Sequence, residues 1–83
     1  MKIPVKISLM SGKRLEYSVS CMLEYTESMK ASDLSLLAKT ELSKFRTDDL
    51  GEAVIFEHNG KKQIESSVVI EKYNPYICKI TKA

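Results

Sequence analysis

Alternation of apolar and polar residues over the first 25 positions constrains this chain more than any other feature. Ile3, Val5, Ile7 and Leu9 fall on one side of an extended run, and Leu15, Tyr17, Val19, Cys21, Leu23 and Tyr25 on one side of the next. A period of two sustained this long is the mark of strands with one buried face. Residues that oppose each other in an antiparallel hairpin share a face, so the register can be worked out on paper. Setting Leu9 against Leu15 brings Ile7 to Tyr17, Val5 to Val19 and Ile3 to Cys21. That pairing needs an odd loop centred on Gly12, of three or five residues over Ser11, Gly12 and Lys13.

After Tyr25 the period changes. Leu34, Leu37, Ala38, Leu42 and Phe45 recur at helical spacing, and Ser32 with Asp33 supplies an N-cap and an acid for the first turn, which predicts a helix from Ser32 to Arg46. Lys44 and Arg46 lie where cations suit the helix dipole, and residues 47–51 break into a turn. Strand alternation then returns on both sides of Asn59-Gly60, a pair suited to a type I′ turn because both central positions need positive φ. This loop sets Glu57 against Lys62, Phe56 against Gln63 and Ile55 against Ile64, with the returning strand running on through Val68 and Val69. Asn74-Pro75 bends the chain, and Tyr76–Ile80 offers a fifth strand at an edge.

The pattern predicts an α+β domain, β-β-α-β-β with a C-terminal fifth strand, in which one helix packs on one face of a single antiparallel sheet. Its predicted core joins Leu34, Leu37, Ala38, Leu42 and Phe45 to Ile3, Val5, Ile7, Tyr17, Val19, Ile55, Ile64 and Val68. A chain of 83 residues permits a single domain, here 1–83, and at this size buries only ~60–65% of the surface its unfolded form exposes, which argues against a deep catalytic cavity. The balance of 43% hydrophobic and 29% charged residues is that of a folded protein. The N-terminus carries no apolar stretch of signal-peptide length and no run approaches a membrane span, so a cytoplasmic protein is expected. Cys21 and Cys78 are too few for a disulfide framework and too far apart in sequence for a CxxC element; both read as reduced strand residues.

His58 is the one histidine and sits beside the Asn-Gly turn, where a solvated, mobile imidazole is a poor general base. Asp48, Asp49 and Glu52 follow the helix in a short loop with no apolar wall to raise a carboxyl pKa. The glycines are isolated at 12, 51 and 60, which excludes a phosphate-binding loop, and nothing reaches metal-site spacing. These readings predict a chain that works without catalysis, metal or cofactor.

Charge is segmented: +4 over residues 1–14, −3 over 15–33, +2 over 34–46, −4 over 47–58 and +3 over 59–83. Lys2, Lys6, Lys13, Arg14, Lys61 and Lys62 form a basic rim on the hairpins that could follow a phosphate backbone, with Tyr73 and Tyr76 able to stack on bases. Eleven acids, a net charge of only +2 and the lack of an RNP-type aromatic motif weigh against nucleic acid. The stronger signal is on the side of the sheet away from the helix. It is expected to hold Met10, Met22, Val54, Phe56 and Val69, joined by Tyr73 and Ile77, where a one-sided sheet should be polar. Adaptable apolar groups rimmed by Lys6, Arg14, Glu16 and Glu65 suit a protein partner. The expected role is a small protein-interaction module, of adaptor, subunit or inhibitor type. It would use that face and the Tyr76–Ile80 edge to meet another protein or a copy of itself.

Overall fold

In a computed structural model that describes all 83 residues, the elements run β1 (Lys2–Ser11), β2 (Arg14–Glu24), α1 (Ala31–Leu42), β3 (Leu50–Glu57), β4 (Lys62–Ile64) and β5 (Tyr76–Lys82). The fold is α+β: one helix on one face of a five-stranded sheet in the order β2-β1-β5-β3-β4. The expected antiparallel sheet is corrected to a mixed one, because β5 pairs parallel with β1 and antiparallel with β3. The same finding moves β5 from the edge to the centre. Its residues Tyr76, Cys78 and Ile80 are at most 3% exposed, and a strand this apolar gains most where neighbours cover both its sides. Pro75 lies just outside β5, so it removes no ladder donor.

The second hairpin obeys its turn. Ile55 faces Ile64, Phe56 faces Gln63 and Glu57 faces Lys62, as the Asn-Gly spacing predicts. Asn59 and Gly60 have φ of 58° and 90°, and Lys61 N–H donates to the His58 carbonyl at 3.3 Å. The strand is far shorter than expected, however. After Ile64 the chain leaves the sheet to cross the N-terminal end of α1, where the carbonyls of Val68 and Ser66 accept the N–H groups of Ala31 and Ser32 at 2.8 and 3.0 Å. The orphan donors of a helix start are a stronger draw than continued pairing of an exposed strand. Val68 is therefore 39% exposed rather than core, and Ile70 takes the buried place.

The first hairpin departs from its expected register. Leu9 faces Tyr17, Ile7 faces Val19, Val5 faces Cys21 and Ile3 faces Leu23, two residues beyond the predicted pairing. A two-residue Gly12-Lys13 turn closes it, with Gly12 at φ 60°, and Glu16 is left without a partner as a β-bulge. The bulge absorbs the odd residue that the sequence reading assigned to the loop. A slip of two preserves faces, so Ile3, Val5, Ile7 and Leu9 remain core, each at most 1% exposed. Leu15 does not: beyond the bulge it pairs with Met10, turns to the opposite face and is 53% exposed.

The helix begins one residue earlier than predicted. The Asp33 carboxylate accepts the Lys30 N–H at 2.9 Å, so the acid rather than Ser32 finishes the N-terminus. Leu34, Ala38 and Leu42 are fully buried, whereas Phe45 lies in the looser turn after the helix and is 52% exposed. No helix is long and apolar enough to cross a membrane.

Candidate interaction surface

The helix-free face is built by alternation from the residues that the core leaves over. Register places its side chains in rows across the sheet. Ser20, Lys6, Ile77, Phe56 and Gln63 form one row, Ser18, Ser8, Lys79 and Val54 the next, and Leu15, Met10 and Thr81 a third. Met22 lies beyond the first row, opposite Pro4. Of the expected surface, Val54, Phe56 and Ile77 are neighbours on β3 and β5, all half-buried, and Met10 and Met22 lie on the β1–β2 half of the same face. Lys6 and Ser8 separate the two groups.

Two expected members lie elsewhere. Val69 belongs to the segment over the helix start, where it bridges to Lys30, and Tyr73 sits in the loop before β5 at 82% exposure, with Lys72 over its ring. Val69 reaches the face only if β4 runs on, and β4 ends at Ile64. Sequence reasoning missed Leu15, which only the bulge reveals. It also missed Lys79, whose ammonium stands 4.6 Å from the centroid of the Phe56 ring. Pairing β5 with β3 is what brings Lys79 there, and no local signal fixes strand order.

The Asn59-Gly60 turn leans on this surface. A Cβ on Gly60 would stand 3.1 Å from Ile77 Cδ1. Beside it Pro4, Lys6, Ser20, Asn59, Pro75 and Ile77 line a shallow groove of about 190 Å³. The charges of the face are Lys2, Lys6 and Lys79 against Glu24, which meets the N-terminal ammonium at 3.2 Å. The basic rim is divided: Lys13 and Arg14 stand at the first turn, Lys61 at the second turn at the other end of the sheet, and Lys62 pairs with Glu57 at 3.6 Å on the helix side.

The sheet has two open edges of different character. β4 covers β3 only along Ile55–Glu57, leaving β3 from Leu50 to Val54 without a strand on that side. There Ser35 and Ala31 of α1, Ala53 and Val54 of β3, and Glu65 and Ser66 line a groove of about 310 Å³. The outer edge of β2 is open along its whole length.

His58 and the acids that follow the helix do not converge. His58 and Asp48 flank opposite ends of β3, and the His58 ring is exposed. Asp48 is held by Arg46 Nε at 2.7 Å and Lys82 Nζ at 3.3 Å, and this hydrogen bonding lowers its pKa to about 2. Burial pushes the Cys78 thiol up to about 12 and raises that of Cys21, so both favour the unreactive thiol form. Cys21 pairs with Val5 and Cys78 with Ile7, one strand further, a separation of roughly 12 Å that no disulfide spans. Neither a protein-family model, nor a curated protein, nor a solved structure matches the chain.

Proposed function

We propose that this chain is a non-catalytic protein-interaction module, of adaptor, subunit or inhibitor type, whose contact surface is the helix-free face centred on Val54, Phe56 and Ile77. The observation that supports it is the contiguity of these three apolar side chains, rimmed by Lys6 and Lys79, on a face that carries no helix and is flanked at one end by the Asn59-Gly60 turn. Their half-burial leaves apolar area that a partner can remove from water at ~25 cal/mol per Å². The flanking methionines, Met10 and Met22, adapt to the partner's shape. The cytoplasm suits the two unpaired cysteines.

The test is a photo-crosslinking residue at position 56 in the intact chain, expressed in its source cells, with the same residue at exposed Ser67 as control. A discrete crosslinked protein from 56 and not from 67, lost when Val54→Asp is added, is the expected result. Equal labelling from both positions rejects the surface. A second reading, contact with a nucleic acid, draws on Lys2, Lys6 and Lys79 sharing the face with Phe56. It requires binding near 50 mM salt that weakens steeply as salt rises.

A further inference from the structure

We propose that β2 pairs edge to edge with β2 of a second copy of this chain, antiparallel about Val19, joining two five-stranded sheets into one. The edge is free for it. No hydrogen bond outside the β1 ladder reaches the backbone of residues 14–24. Counting from the Gly12-Lys13 turn and through the bulge, Val19 and Cys21 bond to β1, so Ser18, Ser20 and Met22 turn their N–H and C=O groups outward. Exposed edges are ordinarily blunted by shortness, charged side chains, Pro or a bulge. The opposite edge follows that rule, since β4 has three residues and begins with Lys62. β2 has 11 residues; its bulge and its charges lie at Arg14, Glu16 and Glu24, which leaves residues 17–23 regular, uncharged and free of Pro.

The strand is complementary to itself in this one register. Glu16 and Tyr17 occupy a single rung because of the bulge. With Val19 on the two-fold axis, Ser18 then meets the partner's Ser20, Tyr17 meets the partner's Cys21, and Leu15 meets the partner's Met22. Leu15 and Met22 share the helix-free face and are 53% and 54% exposed, so each pair removes two solvated apolar side chains from water. At both ends the turn residues Lys13 and Arg14 reach the partner's Glu24. Arg14 has no ion-pair partner within its own chain, and Glu24 meets only the N-terminal ammonium. Centring on Cys21 instead would set Glu24 against the partner's Ser18 and leave Leu15 outside the ladder. A two-fold axis normal to the sheet keeps both helices on one side and fuses the two helix-free faces. The inference is independent of the Val54–Phe56–Ile77 surface, which β2 pairing leaves open.

Sedimentation of the full-length chain decides it, read together with oxidative crosslinking. A concentration-dependent dimer is expected for the wild type and for Phe56→Asp, and a monomer for Ser20→Pro, whose lost N–H points out of the sheet. Glu24→Arg raises the dimer Kd by about tenfold or more, and adding Lys13→Glu with Arg14→Glu restores it. Val19→Cys forms a disulfide-linked dimer on mild oxidation, because opposed non-bonded residues have Cα atoms roughly 4.5 Å apart. The wild type does not, since the two Cys21 residues lie roughly 14 Å apart in this register. A wild-type monomer at several hundred micromolar overturns the proposal, as does a dimer that survives Ser20→Pro. Crosslinking through Cys21 in the wild type rejects the register. Where Ser20→Pro fails to fold, the Val19→Cys result stands alone and decides.

Discussion

In the second hairpin, two turn residues set the register of every pair that forms, yet the strand they launch lasts three residues. The first hairpin reverses this: its strands run ten and eleven residues, while its turn leaves the register to be settled by the sheet. Asn59 and Gly60 occupy the positive-φ geometry that one turn type demands, so local backbone chemistry is decisive there. Gly12 fits several loop lengths, and burial of Ile3, Val5, Ile7 and Leu9 fixes only the parity of the pairing, which the two-residue turn meets by way of the bulge. A turn therefore governs where pairing starts, and burial governs how far it continues.

The sharpest way to break that contrast is in the core. Ile7 is 0% exposed on β1, with a strand on each side and α1 above, whereas Ile64 is 6% exposed at the end of the shortest strand. Ile7→Ala is expected to cost about 4 kcal/mol and Ile64→Ala about 2 kcal/mol in urea unfolding, the central site having less room to collapse around the cavity. Equal losses would mean that β4 is held by the core as firmly as β1, and that its shortness is set by something other than burial.

The comparison also separates what was legible in the residues from what was not. Faces were legible, because alternation survives a slip of two: Ile55, Ile64 and the odd residues of β1 are where periodicity puts them, and Val54, Phe56, Ile77, Met10 and Met22 lie opposite. Strand order was not. Sequence adjacency suggests neighbours, but the parallel β1–β5 pairing joins residues some 70 positions apart, and only the burial of Tyr76, Cys78 and Ile80 betrays it. Val69 lies off the face because the need to cap α1 acts across the fold, invisible to a local reading of residues 65–70. Leu15 was misplaced because a bulge inverts the parity of everything beyond it.

A smaller effect distinguishes the two turns. Both glycines have positive φ, at which an L side chain costs roughly 1–2 kcal/mol, but a Cβ at Gly12 meets nothing within 4 Å while one at Gly60 stands 3.1 Å from Ile77 Cδ1. Gly60→Ala is expected to destabilise more than Gly12→Ala, by a few tenths of a kcal/mol as Ile77 yields. Thermal unfolding of the two variants side by side measures the difference. A larger loss at Gly12 would show that the first turn, despite its adaptable length, is the more tightly constrained.

The smallest effect concerns the charges that fasten the first hairpin at its bulge. Glu16, the unpaired bulge residue, meets Lys82 Nζ at 3.0 Å and Arg46 Nη2 at 3.9 Å. Asp48 holds the same two cations, and Arg46 lies 5.3 Å from the centre of the Tyr17 ring. The Arg46 hydrogen bond, with Lys82 adding to it, keeps Asp48 ionised down to about pH 2 in the fold, against 3.8 ordinarily. A lowered carboxyl pKa means that the unfolded chain takes up the proton first. The contribution of Asp48 is therefore complete above pH 4 and is lost as pH falls from 4 towards 2. Asp48→Asn should flatten the fall in stability across that window and leave the slope above pH 5 unchanged. The exposure of the network makes the gain modest and sensitive to salt. An unchanged acid limb in the variant would place the pH dependence on other carboxylates and leave the bulge held by pairing alone.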